Sequence, residues 1–400
     1  MINLKGYHDP IFYLLLLFMV VILIFVADTL SISYKESLTF FNEVGLLNTL
    51  SNFSTSVFGQ NNIALRLPFI LFYTLSSIIM YSITKDYFKT ETDRLISTLL
   101  FMVLPGVVSA SLLVHNTIIV IFCILIYLYY YKIYQTHNYF LLFLFLFIDN
   151  SFAIFYLALF FYSLRKKENT LIIVSLLLFG LSMQIYGFDS SGKPRGHFLD
   201  TFTIYASIFS PMIFLYYIYV MYRIGLKGTK TIYWYISVTA LVFSLLFSFR
   251  QRIQIEDFAP YVVVTLPIII KYFLHNLRVR LPQFRHRHYN WAYLSLFLLF
   301  ISVVIILFNK PLYLFIKKPQ SHFAYKYHFA YEISEKLKEK NINYVTTNYK
   351  LENRLNFYGI KSGQKYLVTL NEANPYFLKI PIEILDKKVL NVYVLKLSSY

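Results

Sequence analysis

Long apolar runs separated by short charged clusters fill most of this chain, and polar and apolar positions mix evenly only after residue 309. The runs at 11–28, 63–84, 95–113, 117–134, 170–187, 201–222, 232–249, 259–275 and 291–308 each have roughly the length that an α-helix needs to cross about 30 Å of hydrocarbon. The run 139–164, "YFLLFLFLFIDNSFAIFYLALFFYSL", is interrupted by Asp149 and Asn150. One long helix there leaves a carboxylate at mid-membrane, where ionisable groups are functional candidates. Two short helices instead turn at Asp149-Asn150, which then cap the second, and we expect the turn.

Charge supports that choice. With the N-terminus inside, the clusters Arg165-Lys166-Lys167, Arg223/Lys227/Lys230 and Arg278/Arg280/Arg285/Arg287 all fall inside only if 139–164 enters and returns. The expected architecture is a polytopic α-helical membrane protein of about eleven passes, two of them short. It places the N-terminus in the cytoplasm and the C-terminus outside. We expect residues 1–308 to form the membrane domain, with a long outward loop at 28–62. Residues 309–400 are expected to form a small extracytoplasmic α/β domain. There "YHFAYEISEKLKEKN" reads as an amphipathic helix with Glu332 and Lys336 at i,i+4. "INYVTT", "YLVTL" and "VLNVYVLKL" read as strands.

Composition agrees: 58% of the 400 residues are hydrophobic and 14% charged, far from an average soluble domain. No small-residue cleavage site follows 11–27, so that run is expected to stay as a span. The single cysteine, Cys123, excludes an internal disulfide and a cysteine metal cluster. The formal charge of +17 is read as an orientation signal of basic loops rather than a nucleic-acid footprint.

The expected outer face carries the chemistry. Basic residues there run against the orientation signal and need their own reason. Arg250 and Arg252 lie at the mouth of a span, and Lys193, Arg195 and His197 lie in "GFDSSGKPRGHFLD". Guanidinium and ammonium groups suit a phosphate or pyrophosphate; lipid headgroups, or pairing with Glu256 and Asp257, are the plainer alternatives. In "ISYKESLTFFNEV", Ser33 and Glu36 fit a capping box that starts a surface helix. On such a helix Glu36 and Glu43, seven apart, share a face. A carboxylate beside phosphate-binding arginines also suits a general base.

The order of a first span, an outward loop with "SYKE" and then "FGQNNIALRLPFILF" resembles the GT-C glycosyltransferases that use polyprenyl-phosphate sugars. The nearest branch is the protein O-mannosyltransferase and aminoarabinose transferase group. Phe58, Gly59, Arg66 and Pro68 carry its aromatic-Gly–Arg-x-Pro stretch. Arg252, Tyr261 and Pro267 in "RIQIEDFAPYVVVTLP" resemble a second motif. The resemblance implies a GT-C-like fold in the inner (plasma) membrane. It implies transfer of a sugar from a polyprenyl-phosphate donor to a lipid, glycan or protein acceptor outside the cytoplasm. The displacement would be inverting, with an acid in the first outward loop as base. No cofactor is certain, and a divalent metal assists some members. Lys35 stands where the family has aspartate, so Glu36 is the expected base, with Asp28 and Glu43 as alternatives. Expected substrate contacts are Lys35, Arg66, Lys193, Arg195, Arg250, Arg252 and Tyr261. "VHNT" puts His115 and Asn116 where a second family acid is often found. A non-catalytic relative that binds lipid-linked sugar, or a lipid-sugar transporter, remain the rival readings.

Overall fold

The computed structural model describes residues 8–43, 45–187, 196–316, 318–370, 377–384 and 387–397. In chain order its helices begin with α1 (His8–Thr29), α2 (Tyr34–Phe41), α3 (Leu46–Phe58) and α4 (Asn62–Ile83). They continue with α5 (Glu91–Met102), α6 (Pro105–Leu112), α7 (Thr117–Tyr134), α8 (Tyr139–Phe145), α9 (Phe152–Lys166) and α10 (Asn169–Tyr186). Next come α11 (Phe198–Phe209), α12 (Pro211–Lys227), α13 (Ile232–Ser248), α14 (Ala259–Val263), α15 (Leu266–Val279) and α16 (Pro282–Leu307). After them lie β1 (Tyr344–Thr346), β2 (Lys361–Thr369), β3 (Leu378–Ile384) and β4 (Lys387–Lys396), with helices α17 (Ala330–Glu339) and α18 (Tyr349–Phe357). The expected class therefore holds: a mostly helical chain with long apolar helices and a small C-terminal sheet.

The expected count of about eleven passes is not reached by helix length. Among the described residues six helices are long and apolar enough to cross a membrane, or eight if each of two bent pairs is one span. Proline explains both bends. It lacks the N–H that would continue a helix and restricts the residue before it. Pro105 opens α6, so the 95–113 run bends by 51°. Pro211 opens α12, so the 201–222 run bends by 105°. The 139–164 run breaks between α8 and α9, as the turn reading expects, but the expected cap does not form: Ser151 is the residue that precedes α9, and no side chain caps that helix. There Asp149 Oδ1 accepts the Ser151 N–H at 2.9 Å, an Asx turn rather than a bare carboxylate.

The chain divides into two compact units, Met1–Val21 with Phe69–Val303, and Ile22–Pro68 with Val304–Tyr400. In the first unit α6 and α11 meet at Gly106, where a Cβ would collide with the Ile208 side chain.

The second unit holds the sheet, ordered β1-β2-β4-β3, with β1–β2 parallel and the other pairs antiparallel. Its core joins Ile333 and Leu337 of α17, Leu351 and Leu355 of α18, and Val368, Ile380, Val392 and Val394 of the strands. β3 was not anticipated because Pro381 interrupts its "LKIPIEI" pattern. The expected Glu332–Lys336 pair does not form. Glu332 binds Lys310 Nζ at 2.7 Å, while Lys336 turns to Glu339 at 3.1 Å.

Gly106→Ala is expected to destabilise the first unit by about 1–3 kcal/mol, the usual cost of forcing an extra carbon into a packed contact. Thermal unfolding of the solubilised protein checks this; an unchanged midpoint contradicts the packing described.

Candidate functional site

The opening segment of the second unit is built around the buried backbone at Ser31–Ser33. Ser33 is extended and accepts the Glu36 N–H at 3.3 Å through its hydroxyl. Glu36 Oε2 in turn accepts the Ser33 N–H at 2.8 Å. Both halves of the capping box are thus present, and α2 starts where the sequence predicts.

Glu36 is only 3% exposed, so its charge needs a partner. Arg66, fully buried on α4, supplies it: Nη2 lies 3.4 Å from Glu36 Oε2 and donates to the Ser31 carbonyl at 3.1 Å. Its Nη1 donates to the Asn62 carbonyl one turn earlier, at 3.3 Å. The glycine of the same motif has a conformational reason. Gly59 closes α3 at φ +82, where a side chain is strained.

The C-terminal segment completes the enclosure. Arg354 Nε donates to the Ile32 carbonyl at 2.8 Å, and its Nη2 to the His328 carbonyl at 2.7 Å. Tyr358 Oη accepts the Ile32 N–H at 2.9 Å and donates to Asn62 Oδ1 at 2.6 Å. The Ser31 N–H donates to the Tyr327 carbonyl at 2.8 Å. The Ser31 hydroxyl accepts the Tyr331 N–H and donates to Glu332, at 3.2 and 3.3 Å. Burial pushes the Tyr358 phenol up to about 12 and draws Arg354 below its ordinary value. Burial, with Lys310, His322 and Arg354 nearby, pushes His328 down to about 3, so its ring is neutral at pH 7. Sequence reading did not single out Arg354, Tyr358 or Asn62, and it paired Glu332 with Lys336 rather than with this segment. Their partners lie up to about three hundred residues away, beyond any local pattern.

The expected site residues divide sharply. Asp28 is exposed in the last turn of α1, and Asn62 Nδ2 donates to its carbonyl at 3.0 Å. Lys35 is exposed on α2. Glu43 is exposed and accepts the Thr39 hydroxyl at 2.8 Å. Since α2 ends at Phe41, Glu36 and Glu43 do not share a helical face: one is buried and the other lies past the helix. Lys193 and Arg195 lie outside the described residues.

In the first unit, Arg250 and Arg252 are exposed after α13. Tyr261 is fully buried, its ring stacked on Phe155 at 6.1 Å and its hydroxyl 3.4 Å from Ser151 Oγ. Asn116 Nδ2 donates to Asp149 Oδ2, so the "VHNT" asparagine meets the turn aspartate. Among the described residues no three His, Cys, Asp or Glu side chains gather as metal ligands, so no step through a metal is derived.

Long apolar helices and a Glu–Arg-anchored loop between the first spans define a multi-pass membrane protein with a built polar site. The model of the dolichyl-phosphate-mannose-protein mannosyltransferase family matches residues 46–149. That is well under half of the chain, but it takes in the Phe58–Pro68 motif, Arg66 included, and reaches Asp149. The match bears out the resemblance over that stretch and supports a membrane glycosyltransferase in general. No curated protein matches the chain.

Two expectations follow. Arg66→Met and Glu36→Gln should each lower stability by about 3–5 kcal/mol, because each removes one member of a buried ion pair. The double variant should cost clearly less than the sum; additive losses contradict a coupled pair. For His328 the folded pKa lies below the ordinary 6.5, so between about pH 6.5 and 3 the unfolded chain binds the extra proton. Stability contributed by the neutral ring should therefore fall on acidification through that window, by at most about 1.4 kcal/mol per pH unit. Unfolding at pH 7 and pH 5 in wild type and His328→Gln checks it, and an equal loss in both contradicts it.

Proposed function

We propose that the protein is an inverting glycosyltransferase of the inner membrane. It moves a sugar from a polyprenyl-phosphate donor to a hydroxyl of an extracytoplasmic lipid, glycan or protein. The observation that carries this reading is the family match over 46–149 in a chain of long apolar helices. In the proposed reaction a carboxylate takes the acceptor hydroxyl proton. The acceptor oxygen bonds to the anomeric carbon as the bond from that carbon to the phosphate oxygen breaks, and polyprenyl phosphate leaves.

The base we propose is Asp28. A general base needs a carboxylate that the acceptor can reach. Glu36 is buried, closes the capping box and faces Arg66, which suits a positioning role. Asp28 is exposed, and it stands in the last turn of α1, where the helix dipole disfavours a negative charge. A carboxylate kept against that preference is consistent with use. Glu43 is the second accessible carboxylate of the segment. Arg250 and Arg252 are the proposed phosphate ligands, with Lys35 and the segment carrying Lys193 and Arg195 as further cations. Tyr261, with its buried ring, is proposed to support the "RIQIEDFAPY" segment rather than to touch the donor. The second reading, a non-catalytic relative that binds lipid-linked sugar, has its own support: lysine replaces the first family acid, and the second is buried against Arg66.

The test is transfer from radiolabelled polyprenyl-phosphate sugars of native lipid extract by the purified protein. Asp28→Asn is expected to lower turnover by about 10²–10⁴-fold with unchanged melting. Glu36→Gln is expected to lower stability first, with transfer recovering when folding is restored at lower temperature. Transfer surviving in Asp28→Asn removes Asp28 as the base. Donor binding without transfer in wild type favours the non-catalytic reading.

A further inference from the structure

In the first unit, at the end of the α5–α6 run opposite Asn116, a basin of about 620 Å³ opens between the 87–93 turn, the end of α12 and α15. Five cations line it: Lys89, Arg223, Lys227, Lys271 and Arg278. One lining carboxylate answers them. Asp93 is held by Arg278 through two bonds of 2.6 Å. Lys271 Nζ sits 3.9 Å from the Tyr87 ring centroid. Among the described residues Lys89, Arg223, Lys227 and Lys271 make no ion pair with a carboxylate.

A second hollow of about 680 Å³ adjoins it and is apolar, lined by Leu100, Leu215, Phe273, Leu277, Ala292 and Leu296 among others. Leu274 and Asn276 line both. A polar seam marks the junction: Arg223 Nη1 donates to Tyr219 Oη at 3.2 Å and to Asn276 Oδ1 at 3.4 Å. Asn276 Nδ2 reaches Tyr216 Oη at 3.5 Å. Both tyrosines line the apolar hollow.

An orientation signal needs basic residues in loops only; it needs neither their convergence on one basin nor an apolar continuation. We propose that the two hollows bind one membrane lipid with an anionic phosphate headgroup, its phosphate among Arg223, Lys227 and Lys271 and a chain along the groove between α12, α15 and α16. A cationic basin continuous with an apolar hollow argues for one amphipathic occupant with an anionic head. Its lining shares no residue with the carboxylates and arginines of the proposed transfer reaction, and its binding is read without any turnover.

Native mass spectrometry of the full-length protein in detergent, with phosphatidylglycerol and phosphatidylcholine of the same acyl chains, tests the proposal. Wild type should retain phosphatidylglycerol about tenfold better than phosphatidylcholine. Arg223→Gln with Lys271→Gln should abolish the preference, whereas Lys166→Gln with Lys167→Gln, an equal charge change away from both hollows, should keep it. Ala292→Trp, which fills the groove at constant charge, should also lose the lipid. Equal retention by the basin and control variants overturns the site. Retention unchanged in Ala292→Trp, or inorganic phosphate displacing the lipid at comparable concentration, overturns the lipid assignment in favour of a free anion.

Discussion

The folded second unit depends on the demand that a buried backbone leave no polar group unpaired. Residues Ser31–Ser33 run through its interior with their N–H and C=O groups surrounded by protein. Arg66, Glu36, Arg354, Tyr358 and the Tyr327 carbonyl each answer one of those groups. Two of the answering groups are arginines, which bring planar forks that bridge several acceptors at once. Burying them is tolerable only because each meets several oxygens, and in the case of Arg66 a carboxylate. The motif arginine therefore has a structural explanation that needs no substrate.

That explanation changes how the acids of the segment are read. A carboxylate can serve folding or chemistry, and burial separates the two uses. Glu36 is occupied on one side by its own cap and on the other by Arg66, so the acid nearest the family pattern is the one least available to an acceptor. Asp28 and Glu43 lie on the surface of the same unit. Lys35 is exposed on α2, and in the proposed reaction it is a cation for the donor phosphate rather than a proton acceptor.

Much of this was legible in sequence wherever the determinant is local. The capping box at Ser33 and Glu36, the break at Asp149-Asn150, the strand at 387–396 and the helix at 330–339 all declare themselves within a few residues. The bends at Pro105 and Pro211 were equally local, yet apolar length outweighed proline in the reading of those runs. Helix α18 was not expected, although its signal is local: Asn348 caps a segment with Leu351 and Leu355 on one face. The clasp of Arg354 and Tyr358 on Ile32 was not legible, because nothing in the local pattern of either segment names a partner some three hundred residues away. The basin around Arg223 and Lys271 was hidden for a different reason: the positive-inside rule accounted for Arg223, Lys227 and Arg278 singly, and Lys271 fell within the expected span 259–275, so their convergence was concealed.

The central claim is that Glu36 is a structural acid and that the accessible carboxylates of its segment are Asp28 and Glu43. Carbodiimide-driven amidation of the native protein, read residue by residue by mass spectrometry, measures that accessibility directly. The account predicts rapid labelling of Asp28 and Glu43 and labelling of Glu36 slower by about tenfold or more, with Glu36 catching up only when Arg66→Met opens the pair. Labelling of Glu36 in the native protein as fast as Asp28 would contradict it and return Glu36 to the place of the base.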